Sequence, residues 1–455
     1  MNKKRIIGIG IVICICLGII FVGNRMSDQE KTVILDKSGE VIAELLYKNG
    51  DLQYKCKDQY NSYVDITCKD LINIVMNKEH ISRQSAKKKI VSNGMKISTA
   101  LDKKVLYNIQ KGYRETEKLA GNKFAVLISN NIGKVLACYS EDSENYVDKS
   151  TYAGSTMKSL SVYAPGIEKG IINWSSMFED SSYMKIKDSN GNMIDWPQNT
   201  NSYTFQPTTV EQALKESNNA VAVKVLKECG VNDACQFLSN KLEINTKEEQ
   251  EIMKKNGEDD ILSNIALGYL KKGITMRELQ RSYLMFANGG KNYSLYTIEK
   301  IKVHNQEYYK HIKENGTRII SKETAYIMNR LLKEVVSENG TGKDAQLKNI
   351  EVCGKTGTSK NYKDNWFIGM TPEYTCSVWY EERKPETHIK NEAPVTFHNI
   401  MKRMKFNNQK RYSISKNVLK INYCKKTGLI ANDYCTETTE GYYNKENIPG
   451  LCTCK

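Results

Sequence analysis

The order in which apolar patterns follow one another along the chain limits it to few architectures. Thr32-Val-Ile-Leu-Asp-Lys-Ser-Gly-Glu-Val-Ile-Ala-Glu-Leu45 holds two β-rich runs around Asp36-Lys-Ser-Gly39, the signature of a hairpin. Residues 48–95 are polar and Lys-rich, with weak helical patterns at Asp70–Met76 and Ser82–Val91. Phe124–Ser129 and Lys134–Tyr139 then form a second hairpin pattern around Asn130-Asn-Ile-Gly133. Helical patterns follow. Ser155–Gly170 is the first, and Pro165 should bend or end it because proline has no amide donor. Val210–Cys229 is stronger, with Val210, Ala213, Leu214, Val221, Val225 and Leu226 at the spacing of one apolar face. Leu262–Leu270, Thr275–Asn288 (closed by Gly289-Gly290) and Ser321–Ser337 continue the series. Strand patterns return at Ile350–Gly354, Trp366–Met370 and Thr375–Tyr380, before an amphipathic stretch at Pro394–Lys405. Strands, then helices, then strands predict an α+β fold: an antiparallel sheet flanked by helices.

With 455 residues there is room for one large domain and smaller attachments, and 40% hydrophobic with 26% charged residues excludes general disorder. Lys and Arg outnumber Asp and Glu by 67 to 52, a net charge of +15 that suits anionic surroundings such as lipid headgroups or wall polymers. No zinc-finger spacing and no RNP-type aromatic motif is present, so nucleic acid is not the expected partner. Lys3, Lys4 and Arg5 precede an unbroken weakly polar or apolar run from Ile6 to Gly23, long enough for a short spanning helix. Val22-Gly23-Asn24-Arg25 offers no small-x-small cleavage site, so the run is expected to stay as a signal anchor. The basic flank keeps residues 1–5 cytoplasmic, and everything after Asn24 lies outside a cell membrane crossed once, at 6–23. Residues 24–115 are expected to form a membrane-proximal stalk or small module, 116–405 the main domain and 406–455 a Cys-rich tail.

Thirteen cysteines are present, two of them (Cys14 and Cys16) in the apolar run. Cys424, Cys435, Cys452 and Cys454 crowd the tail. In an exported chain this suggests a disulfide framework, with three connectivities open for four cysteines. Zinc is the alternative, although the Cys424–Cys435 gap and the Cys-x-Cys ending match no usual zinc spacing. No cofactor and no metal are therefore expected.

Three short motifs carry the chemistry. In Ser155-Thr-Met-Lys158 the two end residues are three apart, so on a helix they share a face. A lysine whose pKa is lowered by burial and a nearby cation can serve as the base that activates a serine. Ser217-Asn-Asn219 interrupts an apolar helical pattern with polar groups. Lys355-Thr-Gly-Thr-Ser359 directly follows the strand pattern Ile350–Gly354. There Gly357 lets a substrate backbone lie close, Lys355 can meet a carboxylate, and a strand edge can pair with an extended peptide. The five histidines (His80, His304, His311, His388 and His398) sit in no catalytic motif, and neither an HExxH nor a P-loop is present.

Ser-x-x-Lys, Ser-x-Asn and Lys-Thr-Gly in this order resemble the active-site signature of penicillin-binding proteins and serine β-lactamases. The segments Ala153–Pro165, Thr209–Val223, Phe286-Ala-Asn-Gly-Gly290, Gly340-Thr-Gly342 and Asp364–Pro372 are similar to the transpeptidase domain of class A penicillin-binding proteins. The resemblance covers about 95–405, and the hairpin at 32–45 and the tail around Cys424 and Cys435 also resemble that family's ends. Class A members carry a glycosyltransferase domain between anchor and transpeptidase. The stretch between Leu45 and Met95 is too short to hold one, so a transpeptidase without glycan polymerisation is expected, with a separate glycosyltransferase as a possible partner.

The resemblance implies a penicillin-binding/serine β-lactamase-like transpeptidase fold acting as a D,D-transpeptidase on peptidoglycan stem peptides, with β-lactams as inhibitors. It implies that Ser155 is the nucleophile, Lys158 its base, Ser217 a proton relay to the leaving D-alanine, and Asn219 an orienting group. Lys355, with Thr356 and Thr358, would meet the terminal carboxylate along the Gly357 strand. The N–H groups of Ser155 and Thr358 would form the oxyanion hole. A D,D-carboxypeptidase or β-lactamase of the same superfamily, or a non-catalytic wall-binding scaffold, are the rival readings.

Overall fold

The computed structural model describes residues 31–116, 122–141, 144–383, 390–407 and 409–454. The expected anchor at 6–23 lies outside these residues, and among them no helix is long and apolar enough to cross a membrane. The chain divides into two compact units.

The smaller unit takes residues up to Lys57, Thr67–Thr99 and Ile298–His311. Its six-stranded sheet runs in the order Gln306–Lys310, Ile298–Val303, Met95–Thr99, Val33–Leu35, Val41–Lys48, Asp51–Cys56. The expected hairpin at 32–45 is present, turned by Gly39 at φ 88°. Val33–Leu35 and Met95–Thr99 pair in parallel, and the other pairings are antiparallel. The helix Arg83–Ser92 packs on the strands Val41–Lys48 and Asp51–Cys56. Ser82 caps it by accepting from the Ser85 amide, which satisfies one of the free donors of its first turn.

The larger unit holds Asp58–Ile66, Ala100–Thr297 and Ile312–Lys455. Its centre is a five-stranded antiparallel sheet in the order Cys353–Thr358, Asp364–Met370, Tyr374–Glu381, Lys123–Asn130, Val135–Ser140. The first four of these strands bury nearly all their residues, as a sheet covered on both faces must, and the edge strand Val135–Ser140 leaves Leu136 and Tyr139 half-buried. Alternation along Asp364–Met370 separates those faces. Gly369 and Phe367 meet Phe397 of the helix Ala393–Met401, which also packs on the helix Lys103–Arg114. The other face, with Ser377 and Ser129, meets Gln280 of the helix Met276–Ala287, whose amide donates to Ser129 Oγ at 2.8 Å and accepts from Ser377 Oγ at 2.7 Å. That helix begins in a capping box between Thr275 and Glu278.

Two expectations are corrected in ways that matter for function. The pattern over Val210–Cys229 is not one helix. It breaks into Val210–Lys215 and Asn219–Cys229, with Ser217 between them at φ 60° and Asn218 capping the second helix through the Val221 amide. Asn prefers a cap to a helix interior because its side chain takes over the amide that the first turn leaves free. The Lys-Thr-Gly motif does not follow a strand; it is the strand, Cys353–Thr358, at one edge of the central sheet. The first helical stretch starts as a 3₁₀ turn at Gly154–Thr156, widens to a π-helical turn over Ser159–Tyr163 and becomes α-helical at Ala164–Glu168. Pro165, lacking an amide hydrogen, sits where the wide turn gives way to the α-helix.

Candidate active site

The three motifs lie far apart in sequence and meet at one hydroxyl. Lys158 Nζ donates to Ser217 O at 2.6 Å and to Asn219 Oδ1 at 2.6 Å, and lies 3.4 Å from Ser217 Oγ. Lys355 Nζ approaches the same Ser217 Oγ at 2.8 Å and donates to Thr356 O at 3.1 Å. Both lysines are fully buried, at 0% exposure. Burial first, and the neighbouring Lys355 charge second, hold Lys158 well below the usual lysine range. Burial pushes Lys355 down to about 7. Two cationic amines on one hydroxyl in a dry site repel each other, which favours a state with at most one charge near neutral pH.

The backbone around Ser217 is held by its neighbours. Asn218 Nδ2 and Asn199 Nδ2 both donate to Asp180 Oδ1, at 2.8 and 2.7 Å, while the Thr204 amide and hydroxyl donate to Asp180 Oδ2. Burial alone would raise the Asp180 pKa; these donors outweigh it and keep the carboxyl below its ordinary value. Asn199 Oδ1 accepts from the amides of Asn219 and Ala220, and Asn219 Nδ2 donates to Gln198 O at 2.7 Å. A serine at positive φ costs free energy, and this network is what over-determines it.

Ser155 is half-buried at the start of its helix and, among the described residues, makes no hydrogen bond to Lys158. Its turn is pressed against the edge strand. A Cβ on Gly154, at φ 54°, would sit 2.6 Å from Thr358 O, and one on Gly357 would sit 2.6 Å from Ala153 O. Only glycine permits this approach, which brings the Ser155 turn and the Gly357-Thr358 backbone together. Tyr283 OH donates to Thr156 O at 2.6 Å and Trp366 Nε1 to Tyr152 O at 2.9 Å, fixing the turn from beneath. Thr356 is buried and its Oγ1 lies 2.8 Å from Thr341 Oγ1; Thr358 is half-buried.

Thr341, Asp180 and Asn199 were not among the sequence candidates. Thr341 lies in the Gly340-Thr-Gly342 segment, so a signal for it existed. Asp180 and Asn199 lie in stretches with no motif, and only the fold brings them to Ser217.

The family model of the penicillin binding protein transpeptidase domain matches residues 123–402. The chain belongs to that family. It is 28% identical to penicillin-binding protein 1A of Clostridium botulinum (strain Langeland) over 311 residues, covering 64% of this chain and 36% of the relative. It is 27% identical to penicillin-binding protein 4 of Bacillus subtilis over 359 residues, 73% of this chain and 54% of the relative. The chain thus spans between about a third and a half of the length of these relatives. The D,D-transpeptidase domain of a peptidoglycan glycosyltransferase from Eggerthella lenta superimposes with a TM-score of 0.62 at 19% identity, covering 83% of this chain and 98% of that domain. The α+β fold is therefore that of penicillin-binding transpeptidases, and the larger unit is where all three motifs fall.

Proposed function

We propose that this chain is a membrane-anchored D,D-transpeptidase that cross-links peptidoglycan stem peptides outside the cell membrane, through an acyl-enzyme on Ser155. The observation that carries this reading is the convergence of two fully buried lysine amines on Ser217, beside the turn that presents Ser155. Lys158 takes the Ser155 proton in its neutral form, and Ser155 Oγ attacks the penultimate D-alanine carbonyl. The amides of Ser155 and Thr358 receive the oxyanion. Collapse breaks the D-Ala–D-Ala amide, and the proton passes from Lys158 through Ser217 to the leaving nitrogen. An amine of a neighbouring stem peptide then attacks the ester, forming the cross-link and returning the Ser155 hydroxyl. Lys355, Thr356 and Thr358 meet the terminal carboxylate, Gly357 lets the donor peptide lie along the edge strand, and Asn219 orients donor and Lys158. β-Lactams acylate the same serine. Residues 6–23 supply the membrane anchor, 116–405 the catalytic domain and 406–455 the tail.

Fluorescent penicillin applied to purified residues 24–455, beside Ser155→Ala, tests the reading. Stable one-to-one labelling that the substitution abolishes is expected. A folded wild-type protein that takes no label would sink the proposal. Rapid release of label would show that water resolves the acyl-enzyme, and would make the protein a hydrolase.

A further inference from the structure

The four tail cysteines come from three separate stretches of residues 424–454 and are close in space. The Sγ atoms of Cys424, Cys435, Cys452 and Cys454 all lie within 4.8 Å of one another. Tetrahedral zinc with four thiolates at about 2.3 Å places its sulfurs about 3.8 Å apart, so the cluster needs only a small contraction to close on an ion. No disulfide joins these four sulfurs. Pairing Cys452 with Cys454 is disfavoured in any case: across one intervening residue of extended chain the Cα atoms stand at about 6.6–7.2 Å, the outer limit for a disulfide.

Donors face the sulfurs, with one exception: Asn432 Oδ1 lies 3.2 Å from Cys435 Sγ, as the acceptor of its thiol hydrogen, and turns away when that thiol is a ligand. The Cys454 amide donates to Cys452 Sγ and the Asn432 amide to Cys435 Sγ, each at 3.4 Å, and the Thr427 hydroxyl lies 3.2 Å from Cys452 Sγ. Asn432 Nδ2 ties the two late cysteines together through Cys452 O at 2.8 Å and Cys454 O at 3.0 Å. The Gly428 amide folds the Cys424 turn back onto Cys424 O at 2.8 Å. Lys425 and Lys426 flank the cluster, along a cleft shared with Cys424, Cys435 and Cys454, and offset the negative charge that four thiolates carry. All-sulfur tetrahedral sets select zinc or iron–sulfur centres among biological metals, and carboxylate or imidazole ligands are missing from this one.

We infer that the tail is a structural zinc site, with the thiolates of Cys424, Cys435, Cys452 and Cys454 as its four ligands. Cys424 ends the first strand of the hairpin Val418–Cys424/Thr438–Asn444 and Cys435 lies in the loop that joins the two strands, and a two-stranded hairpin is marginal alone. Closing it with a metal supplies what its small core does not. The tail is also anchored to the body of the larger unit. Ser175 Oγ donates to Gly428 O at 2.5 Å and receives Tyr443 OH at 2.8 Å. From Ser175 the chain enters the strand Met177–Glu179, which pairs with Pro207–Thr209, and Thr209 caps the helix that leads into Ser217. The inference concerns the tail alone and stands apart from the catalytic proposal.

The test uses the full chain, purified without chelator. Mass spectrometry of metals should find one zinc per chain, lost in the Cys452→Ser/Cys454→Ser double variant while penicillin labelling persists. The wild-type protein loaded with Co²⁺ gives a reading that does not depend on the folding of that variant. Tetrathiolate cobalt should show intense sulfur-to-metal bands and red d–d bands of a tetrahedral site. Zinc-free protein that refuses added Zn²⁺ or Co²⁺, with the four cysteines recovered as two disulfides by peptide mapping, would overturn the inference. So would iron in place of zinc, or a weak octahedral cobalt spectrum.

Discussion

Replacing Lys355 with methionine, nearly equal in volume, should make the protein more stable and less active. The folded amine titrates at about 7, and the unfolded one near 10.5. Between those values the unfolded chain holds a proton that the folded chain has released, so stability rises with pH across that window. Above 10.5 burial costs nothing in protonation; as pH falls to 7 the stability is lost, and below 7 the full penalty remains. At 1.36 kcal/mol per pH unit, the ceiling on that penalty is roughly 5 kcal/mol. Methionine forfeits the bonds to Ser217 Oγ and Thr356 O. These are worth about 1 kcal/mol each, and the stranded carbonyl adds a similar loss. The net expectation is a gain of about 1–3 kcal/mol at pH 7, or roughly 1–4 °C in Tm for a unit of this size. The gain should vanish or reverse near pH 10. Penicillin acylation should fall by about a hundredfold or more, as when one charged group facing a developing anion is removed. Differential scanning fluorimetry at pH 7 and 9.5, beside labelling rates, decides it. A Tm that drops at pH 7, or a difference between variant and wild type that does not change with pH, would refute the desolvation reasoning.

The same variant should move the acid limb of the acylation rate to higher pH, because the Lys355 charge is one of the two causes that depress Lys158; a rate–pH profile with no shift would separate the two amines. Gly154→Ala puts a Cβ 2.6 Å from Thr358 O at a φ of 54°. The edge strand must retreat, and labelling should slow at least tenfold with a loss of about 1–3 kcal/mol in stability, read by urea denaturation. Asp180→Ala leaves the amides of Asn218 and Asn199 and the Thr204 hydroxyl without their acceptor, which should cost about 2–4 kcal/mol and slow acylation as the Ser217 turn loosens. Asp180→Asn should restore part of both, since an amide oxygen still accepts.

Much of this was legible because the informative residues have strong local habits. Short β-rich, mostly apolar runs marked the strands Lys123–Asn130, Val135–Ser140, Asp364–Met370 and Tyr374–Glu381 to within a residue or two. Ser321 and Thr275 announced two helix starts, and both cap them. The apolar face over Val210–Cys229 hid a break because Val210–Lys215 and Asn219–Cys229 each keep a helical period, and the period survives three intervening residues. Ser217 could be named as a candidate, but its positive φ could not, since that is enforced by Asp180 and Asn199 from outside any motif. The cysteine spacing is silent about the cluster for a related reason. Zinc ligands in familiar motifs come from tight turns, whereas here a hairpin and a returning chain end bring the sulfurs together, and separation along the sequence carries no information about that.

The hydrogen-bond count at Lys158 tightens the mechanistic argument. A neutral lysine amine has two N–H donors and one lone pair; the cation has three donors and none. Both of Lys158's short bonds, at 2.6 Å, go to oxygens that can only accept from it, Ser217 O and Asn219 Oδ1. In the neutral form those two bonds use both donors, and the lone pair is left for a third direction. Ser217 Oγ does not claim it strongly, at 3.4 Å, because that hydroxyl is engaged at 2.8 Å by Lys355. A cationic Lys158 would instead carry a third donor toward a site already occupied by another cation, in a pocket where, among the described residues, no carboxylate is bonded to either amine. Lys355 therefore does two things in the proposed mechanism: it holds Ser217, and its charge adds to burial in keeping Lys158 in the form that has a lone pair to offer. That division of labour explains why two lysines are buried together in one site, where burial alone argues against having either.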